Sequence, residues 1–348
     1  MKINGINIGR NYPPYVIAEM SANHNGSIEN AFEIIKSAKL AGASALKIQT
    51  YTPETITLNS KNEDFKVSGG LWDNKYLYDL YSEGQLPYDW HEELFNYARK
   101  IGITLFSSPF DNTAVDLLEN LNTPAYKIAS FEIVDLPLIK YVASTKKPMI
   151  ISTGMASKEE IEEALETAKE NGCKDLSLLH CVSGYPSMPE DYNLLTIVDM
   201  LKRFKTTVGL SDHTISNHTA VASISLGSSI IEKHFTLDPN KKGLDSDFSI
   251  NPAQLKDLVK GVNSAWRALG KIDYSSKNVE KESLKHRRSI YCIKKIKKGD
   301  KFSLENVKSI RPGYGLPPKF LEKLIGKESN CDIDFATPID EKFIKGGL

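Results

Sequence analysis

The chain has 348 residues, 41% of them hydrophobic, and its 44 basic and 44 acidic side chains leave a formal net charge of zero. A chain of this length can bury a large core with room for a second, smaller domain, and its balanced charge argues against nucleic acid or an anionic membrane as partner. Any anionic substrate must be held by local cations. The N-terminus lacks the basic, apolar and small-residue succession of a signal peptide, and no apolar run is long enough to span a bilayer. Cys173, Cys181, Cys292 and Cys331 are scattered without paired spacing, so a reduced, cytoplasmic chain is expected.

In chain order, short apolar runs end repeatedly in polar residues. Residues 15–18 lead to Glu19, residues 45–46 to Lys47 and Gln49, residues 103–106 to Ser107 and Ser108, and residues 125–126 to Lys127 and Ser130. The pattern continues with 148–151 before Ser152, 176–179 before His180, 208–210 before Ser211, Asp212 and His213, and 230–231 before Glu232 and His234. Amphipathic helical stretches lie between. The first begins with Ser27 as N-cap and ends near Ala41 and Gly42, and others follow Tyr88, Asn112, Pro137, Ser157, Asn193, Asn217 and Pro252. Strands alternating with helices predict a (β/α)8 TIM barrel over residues 1–270, its polar strand ends converging on one rim. Two connections, 51–86 and 237–252, are long enough to shape a pocket on that rim.

Residues 271–288 are polar and charge-rich and read as a linker. Residues 289–348 offer short strands, a turn at Lys297, Lys298, Gly299 and Asp300, and a Gly/Pro-rich run from Arg311 to Pro318. A piece of this size is near the lower limit for independent folding and is expected to pack on another surface, the barrel rim being the obvious one.

His213 and His234 would end neighbouring strands, where two neutral imidazoles can hold a divalent cation and leave positions open. His24 and His180 are weaker candidates that could orient a loop or a ligand. Lys47 and Lys127 point inward by period-two alternation; such lysines clamp a phosphate or form a Schiff base, and the sequence leaves both open. Ser130, Ser152 and Ser211 can add hydroxyl donors. Glu19, Glu132, Glu232 and Asp245 fall at or beyond strand ends, where a carboxylate needs a cation, a metal or a polar substrate. Glu19 and Asp245 read as ligands of substrate hydroxyls or as proton carriers, and Glu232 as a group supporting His234, with salt bridges to Lys47 or Lys127 as the alternative.

The strings 18–26 (AEMSANHNG), 47–50 (KIQT), 107–110 (SSPF), 126–130 (YKIAS), 152–155 (STGM), 209–213 (GLSDH) and 232–235 (EKHF) resemble the sialic acid synthase family along nearly the whole chain. Residues 289–348, with Arg311, Pro312, Gly313 and the string 336–339 (ATPI), are similar to that family's antifreeze-like (SAF, β-clip) domain. The resemblance implies condensation of phosphoenolpyruvate with an N-acetylated aldose and water to give a nonulosonic acid and phosphate. It implies a divalent metal, manganese first and magnesium or cobalt as substitutes, held by His213 and His234. It assigns Lys47, Lys127, Ser130, Ser152 and Ser211 to phosphoenolpyruvate, and Glu19, Gln49, Tyr185 and Asp245 to the sugar. Arg311 would arrive from a partner in a domain-swapped homodimer.

Within the family, the segments 68–72, 77–81 and 87–91 look most like the pseudaminic acid branch, whose sugar is 2,4-diacetamido-2,4,6-trideoxy-β-L-altropyranose. Ser183 departs from the asparagine associated with the N-acetylneuraminate branch at that place. The N-acetylneuraminate and legionaminic acid branches are the near alternatives. A Schiff-base aldolase and a non-catalytic carbohydrate- or ice-binding protein are the distant ones.

Overall fold

Strands β1 (Lys2–Ile3) and β2 (Ile6–Asn7) pair as a short antiparallel hairpin. The strands β3 (Tyr15–Glu19), β4 (Ala45–Thr50), β5 (Thr104–Pro109), β6 (Tyr126–Ile128), β7 (Met149–Ser152), β8 (Leu176–Cys181), β9 (Thr207–Asp212) and β10 (Ile230–His234) are all parallel. They close into a barrel when β10 pairs with β3. The expected eightfold alternation is therefore present, strand for strand. Ile3 and Ile8 of the hairpin region are buried and pack with Tyr15, Ile17, Ala45, Phe106, Ile150, Leu179 and Ile230, so the hairpin plugs the N-terminal end of the barrel. This computed structural model describes residues 1–241 and 243–348, which divide into two units, Met1–Gly270 and Lys271–Leu348.

Local chemistry sets the helices. The Ser27 side chain accepts from the Asn30 amide at the start of helix Ile28–Ala41, and Gly42 ends it at φ +93°, a left-handed turn that costs glycine little. Ala31, Ile34, Ile35 and Ala38 face the barrel from that helix, and the corresponding faces of the other helices complete an apolar layer around the strands. Inside, alternate strand residues point to the axis. A Cβ at Gly209 would meet the Ile230 carbonyl and, at 2.7 Å, Leu179 Cδ2, so the crowded middle layer tolerates only glycine there.

The second unit pairs β11 (Ser289–Cys292) with β12 (Val307–Ile310) antiparallel. Its core is built from Ile290, Ile296, Phe302, Val307, Leu324, Ile333, Ile339 and Ile344. Residues 271–288 are exposed and hold two short 3-10 turns, Asn278–Glu280 and Glu282–His286. Among the described residues no helix is long and apolar enough to cross a membrane.

One ion pair lies on the outward face of the strands. Lys233 Nζ donates to Asp212 Oδ2 at 2.7 Å and to the carbonyls of Thr214 and Ser216 at 2.5 and 3.0 Å, and both charged side chains are fully buried. Burial pushes the Lys233 ammonium below its ordinary value, with Asp212 acting against that shift. The pair ties β9 to β10 directly behind His213 and His234. Lys233→Ala strands a buried carboxylate and is expected to lower stability by about 3–5 kcal/mol in urea unfolding. Replacing the two residues together, as Lys233→Met with Asp212→Leu, should recover most of that loss; a double variant no more stable than Lys233→Ala would show that the pair is not what is being measured.

Candidate active site

Inward positions on β3, β4, β6 and β10 bring four charges together inside the barrel. Lys47 Nζ lies 2.8 Å from Glu19 and 3.8 Å from Glu232, and Lys127 Nζ lies 3.7 Å from Glu232. Ser108 Oγ accepts from Lys47 at 3.2 Å, Ser211 Oγ donates to Glu232 at 3.3 Å, and Gln49 Nε2 donates to Glu19 Oε1 at 3.1 Å and to Ser21 Oγ at 3.0 Å. All four charged groups are almost wholly buried, which decides how each titrates. Burial lifts the Glu19 carboxyl to about 7, against the pull of Lys47. Burial acts to raise Glu232 too, but Lys127 and Lys47 outweigh it and hold that carboxyl below its ordinary value. Burial would lower Lys47, yet Glu19 and Glu232 keep it above the usual lysine range, whereas Lys127 falls below that range because burial prevails. Glu19 and Glu232 thus form the salt bridges that stood as the alternative to their direct roles.

Above this layer stand the two imidazoles, their ring centres 5.4 Å apart. His213 Nδ1 bonds the Val182 carbonyl at 2.8 Å, and its amide donates to the Tyr192 hydroxyl at 2.6 Å. His234 Nδ1 is buried without a partner, and burial, then the charge of His213, drives His234 well below the ordinary histidine range. A ring nitrogen engaged with a backbone carbonyl leaves the other free to ligate, and an orphaned buried nitrogen beside it completes a two-imidazole set. These residues fit a divalent cation that takes its other ligands from water or substrate. Among the described residues no group of three or more His, Cys, Asp or Glu forms a closed metal cage. Cys181, which the sequence presents only as one of four scattered thiols, lies against His213; its position as the last inward residue of β8 is the one signal that could have found it.

A third cluster surrounds Gly154. Its amide donates to Ser130 Oγ at 3.2 Å, Ser152 Oγ and Ser183 Oγ are buried without partners, and a Cβ on Gly154 would collide with Ser183 Oγ and approach Ser130 Oγ at 2.8 Å. The unsatisfied hydroxyls of Ser152 and Ser183 near Ser130 and Gly154, with Lys127 on the strand before Ser130, make a cradle for an oxyanion. Glu132, in the 3-10 turn Ser130–Glu132, has one unpartnered buried oxygen and is lifted by burial to about 7.

Asp245 Oδ2 accepts from the Ala22 amide at 3.2 Å, and burial raises its carboxyl. Tyr185 lies 4.4 Å from the His213 ring, centre to centre. His24 accepts from the Gly26 amide and His180 bonds the Tyr192 carbonyl at 2.5 Å, so both serve loops. Arg311 is exposed in the second unit.

A NeuB family pattern matches residues 34–274, and a SAF domain pattern matches residues 287–345. The chain belongs to the NeuB family. It is 46% identical to a pseudaminic acid synthase of Campylobacter jejuni over 94% of this chain and 95% of that one. It is 42% identical to a pseudaminic acid synthase of Helicobacter pylori, covering 97% and 99%. A crystal structure of N-acetylneuraminic acid synthetase from Leptospira borgpetersenii superposes with a TM-score of 0.73 at 29% identity, covering 82% of this chain and 94% of that one. Family membership makes the protein an enzyme of the phosphoenolpyruvate-condensing sialic acid synthases, and it sets the aldolase and ice-binding alternatives aside.

The raised carboxyls of this NeuB chain give a measurable titration. Glu19 and Glu132 hold protons at pH values where unfolded chains have released them, so their stabilising contribution falls as pH rises from about 4.5 toward about 7. Infrared difference spectra of the ligand-free protein should show carboxyl bands titrating near pH 7, lost in a Glu19→Gln, Glu132→Gln variant. Bands that titrate wholly below pH 5 would contradict the burial argument.

Proposed function

We propose that this chain condenses phosphoenolpyruvate with 2,4-diacetamido-2,4,6-trideoxy-β-L-altropyranose and water, giving pseudaminic acid and phosphate. The observation that carries the chemistry is the convergence on one rim of two buried lysines, an open serine cradle and two imidazoles. The choice of sugar rests on the full-length similarity to two pseudaminic acid synthases.

Lys47, Lys127, Ser130, Ser152 and Ser211 neutralise and hold the phosphate and carboxylate of phosphoenolpyruvate. Glu19, Gln49, Tyr185 and Asp245 orient the open-chain sugar so that C3 of phosphoenolpyruvate reaches its aldehyde carbon. His213 and His234 would hold a divalent cation, manganese by preference with magnesium or cobalt as substitutes, and it would supply Lewis acidity for the condensation. As the new C–C bond forms, the aldehyde oxygen takes up a proton. Glu19, lifted by burial, can supply one from a carboxyl steadied by Gln49 and Lys47. Positive charge at C2 is met by water, with Glu132 placed near the cradle to accept the proton released, and the tetrahedral adduct loses phosphate by C–O cleavage. Aligning two substrates in one pocket can supply roughly 7–11 kcal/mol of the barrier reduction.

Incubation with manganese, the sugar and phosphoenolpyruvate labelled with ¹⁸O in the bridging position should yield pseudaminic acid and phosphate that retains the label. His213→Ala and His234→Ala should each abolish turnover while leaving the circular dichroism unchanged. Label-free phosphate would show P–O cleavage and overturn the addition of water at C2, and borohydride trapping of a sugar or pyruvoyl adduct on Lys127 would redirect the mechanism toward a Schiff base.

Arg311 of the second unit lies on a Gly/Pro-framed loop, and its guanidinium suits a phosphate, a carboxylate or a sugar oxygen. In this reading the protein is a domain-swapped homodimer in which Arg311 completes the barrel site of the neighbouring chain. Mixing inactive Arg311→Ala and inactive His213→Ala chains, with exchange verified by tagged co-purification, should restore up to half of the activity of each mixed dimer. Exchange without recovered turnover would place Arg311 outside the site in trans.

A further inference from the structure

Residues 51–86 include a stapled loop rather than a loose one. The Val67 amide donates to the Lys75 carbonyl at 2.8 Å, the Asn74 amide to the Val67 carbonyl at 2.9 Å, and the Gly69 amide to Asp73 Oδ1 at 2.6 Å. Gly69 and Gly70, at φ +79° and +73°, turn the chain through conformations other residues resist. This presents Trp72 at the loop's tip. Its indole N–H donates to the Leu244 carbonyl at 3.1 Å, beside Asp245. The ring lies 5.7 Å from Tyr185 and 6.2 Å from Phe248, and these lie 4.4 Å from His213 and 4.8 Å from His234, centre to centre. Tyr185 and Phe248 therefore pack directly against the imidazoles, and Trp72 packs on both of them from a third loop, so the three rings form one aromatic cluster beside His213 and His234.

We propose that Trp72 selects the sugar by walling its methyl-bearing, deoxygenated carbon, an inference that rests on the function proposed above. The indole N–H is already engaged with Leu244, so the half-buried Trp72 ring offers a ligand only apolar surface, backed by the buried ring of Phe248. A methyl group against that wall gains burial. A hydroxyl in the same place loses water and finds no partner. Selection then comes from rejecting the oxygenated sugar as much as from holding the deoxygenated one.

The test compares kcat/KM for 2,4-diacetamido-2,4,6-trideoxy-altrose and for its 6-hydroxy counterpart in the full-length, metal-loaded enzyme. The wild type should favour the 6-deoxy sugar by roughly 10–200-fold, the range one apolar group commands in a hydrophobic pocket. Trp72→Ala should shrink that ratio about tenfold or more, and Trp72→Phe, which keeps an apolar ring, should retain most of it. A ratio unchanged in Trp72→Ala overturns the proposal. A second readout does not need turnover by the alanine variant: in a Trp90→Phe, Trp266→Phe protein the remaining Trp72 emission should change on adding the accepted sugar. Emission that does not respond to a sugar the enzyme turns over also overturns it. A wild type that condenses neither sugar with phosphoenolpyruvate sinks the proposed function instead, and the emission measurement, repeated with whichever N-acetylated aldose is accepted, then decides the role of Trp72.

Discussion

Stripping four ionisable groups of water inside a barrel costs several kcal/mol apiece, and the architecture is organised around recovering that cost for Glu19, Lys47, Lys127 and Glu232. Each lysine reaches a carboxylate, and Ser108, Ser211 and Gln49 satisfy further lone pairs and protons. The balance is incomplete by construction. Lys127 is pushed below the usual lysine range and Glu19 above the usual carboxylate range, because burial outweighs the partner each one has. A site left in this condition gains from an anion that comes to rest between the lysines, since the incoming charge relieves a desolvation cost already incurred in folding.

The fold makes that condition sustainable. Beneath the charged layer lie Ile17, Ala45, Phe106, Ile150, Leu179 and Ile230, a dry floor that keeps the local dielectric low. Around it, helices seal the strands with Ile, Leu and Ala. Behind the imidazoles, Lys233 and Asp212 fix the spacing of β9 and β10 from the outer side. Ionisable residues thus occupy both faces of β10, Glu232 and His234 inward and Lys233 outward, and the charged ones, Glu232 and Lys233, each have a counter-ion.

Much of this is legible in the amino-acid order alone. Apolar runs that end in polar residues locate the eight strands, Ser27 and Gly42 mark a helix that begins and ends where those residues dictate, and period-two alternation turns Lys47 and Lys127 inward. What escapes the sequence depends on closure. Glu19 and Glu232 stand 213 positions apart and share a lysine only because β10 pairs with β3, and no periodicity announces that Lys233, set between two inward residues, finds Asp212 on the next strand. The tie between Trp72 and Leu244 spans two long connections whose paths composition does not specify. Cys181 is missed by spacing, a criterion suited to disulfides and zinc rather than to a thiol packed against one imidazole.

The hairpin that plugs the N-terminal end of the barrel also governs traffic. With Ile3 and Ile8 packed against the floor, the N-terminal end of the barrel is closed by apolar side chains, and nothing reaches Lys47 and Lys127 from that side. Whatever rests on Lys47 and Lys127 lies deeper than whatever rests against Trp72, Tyr185 and Phe248.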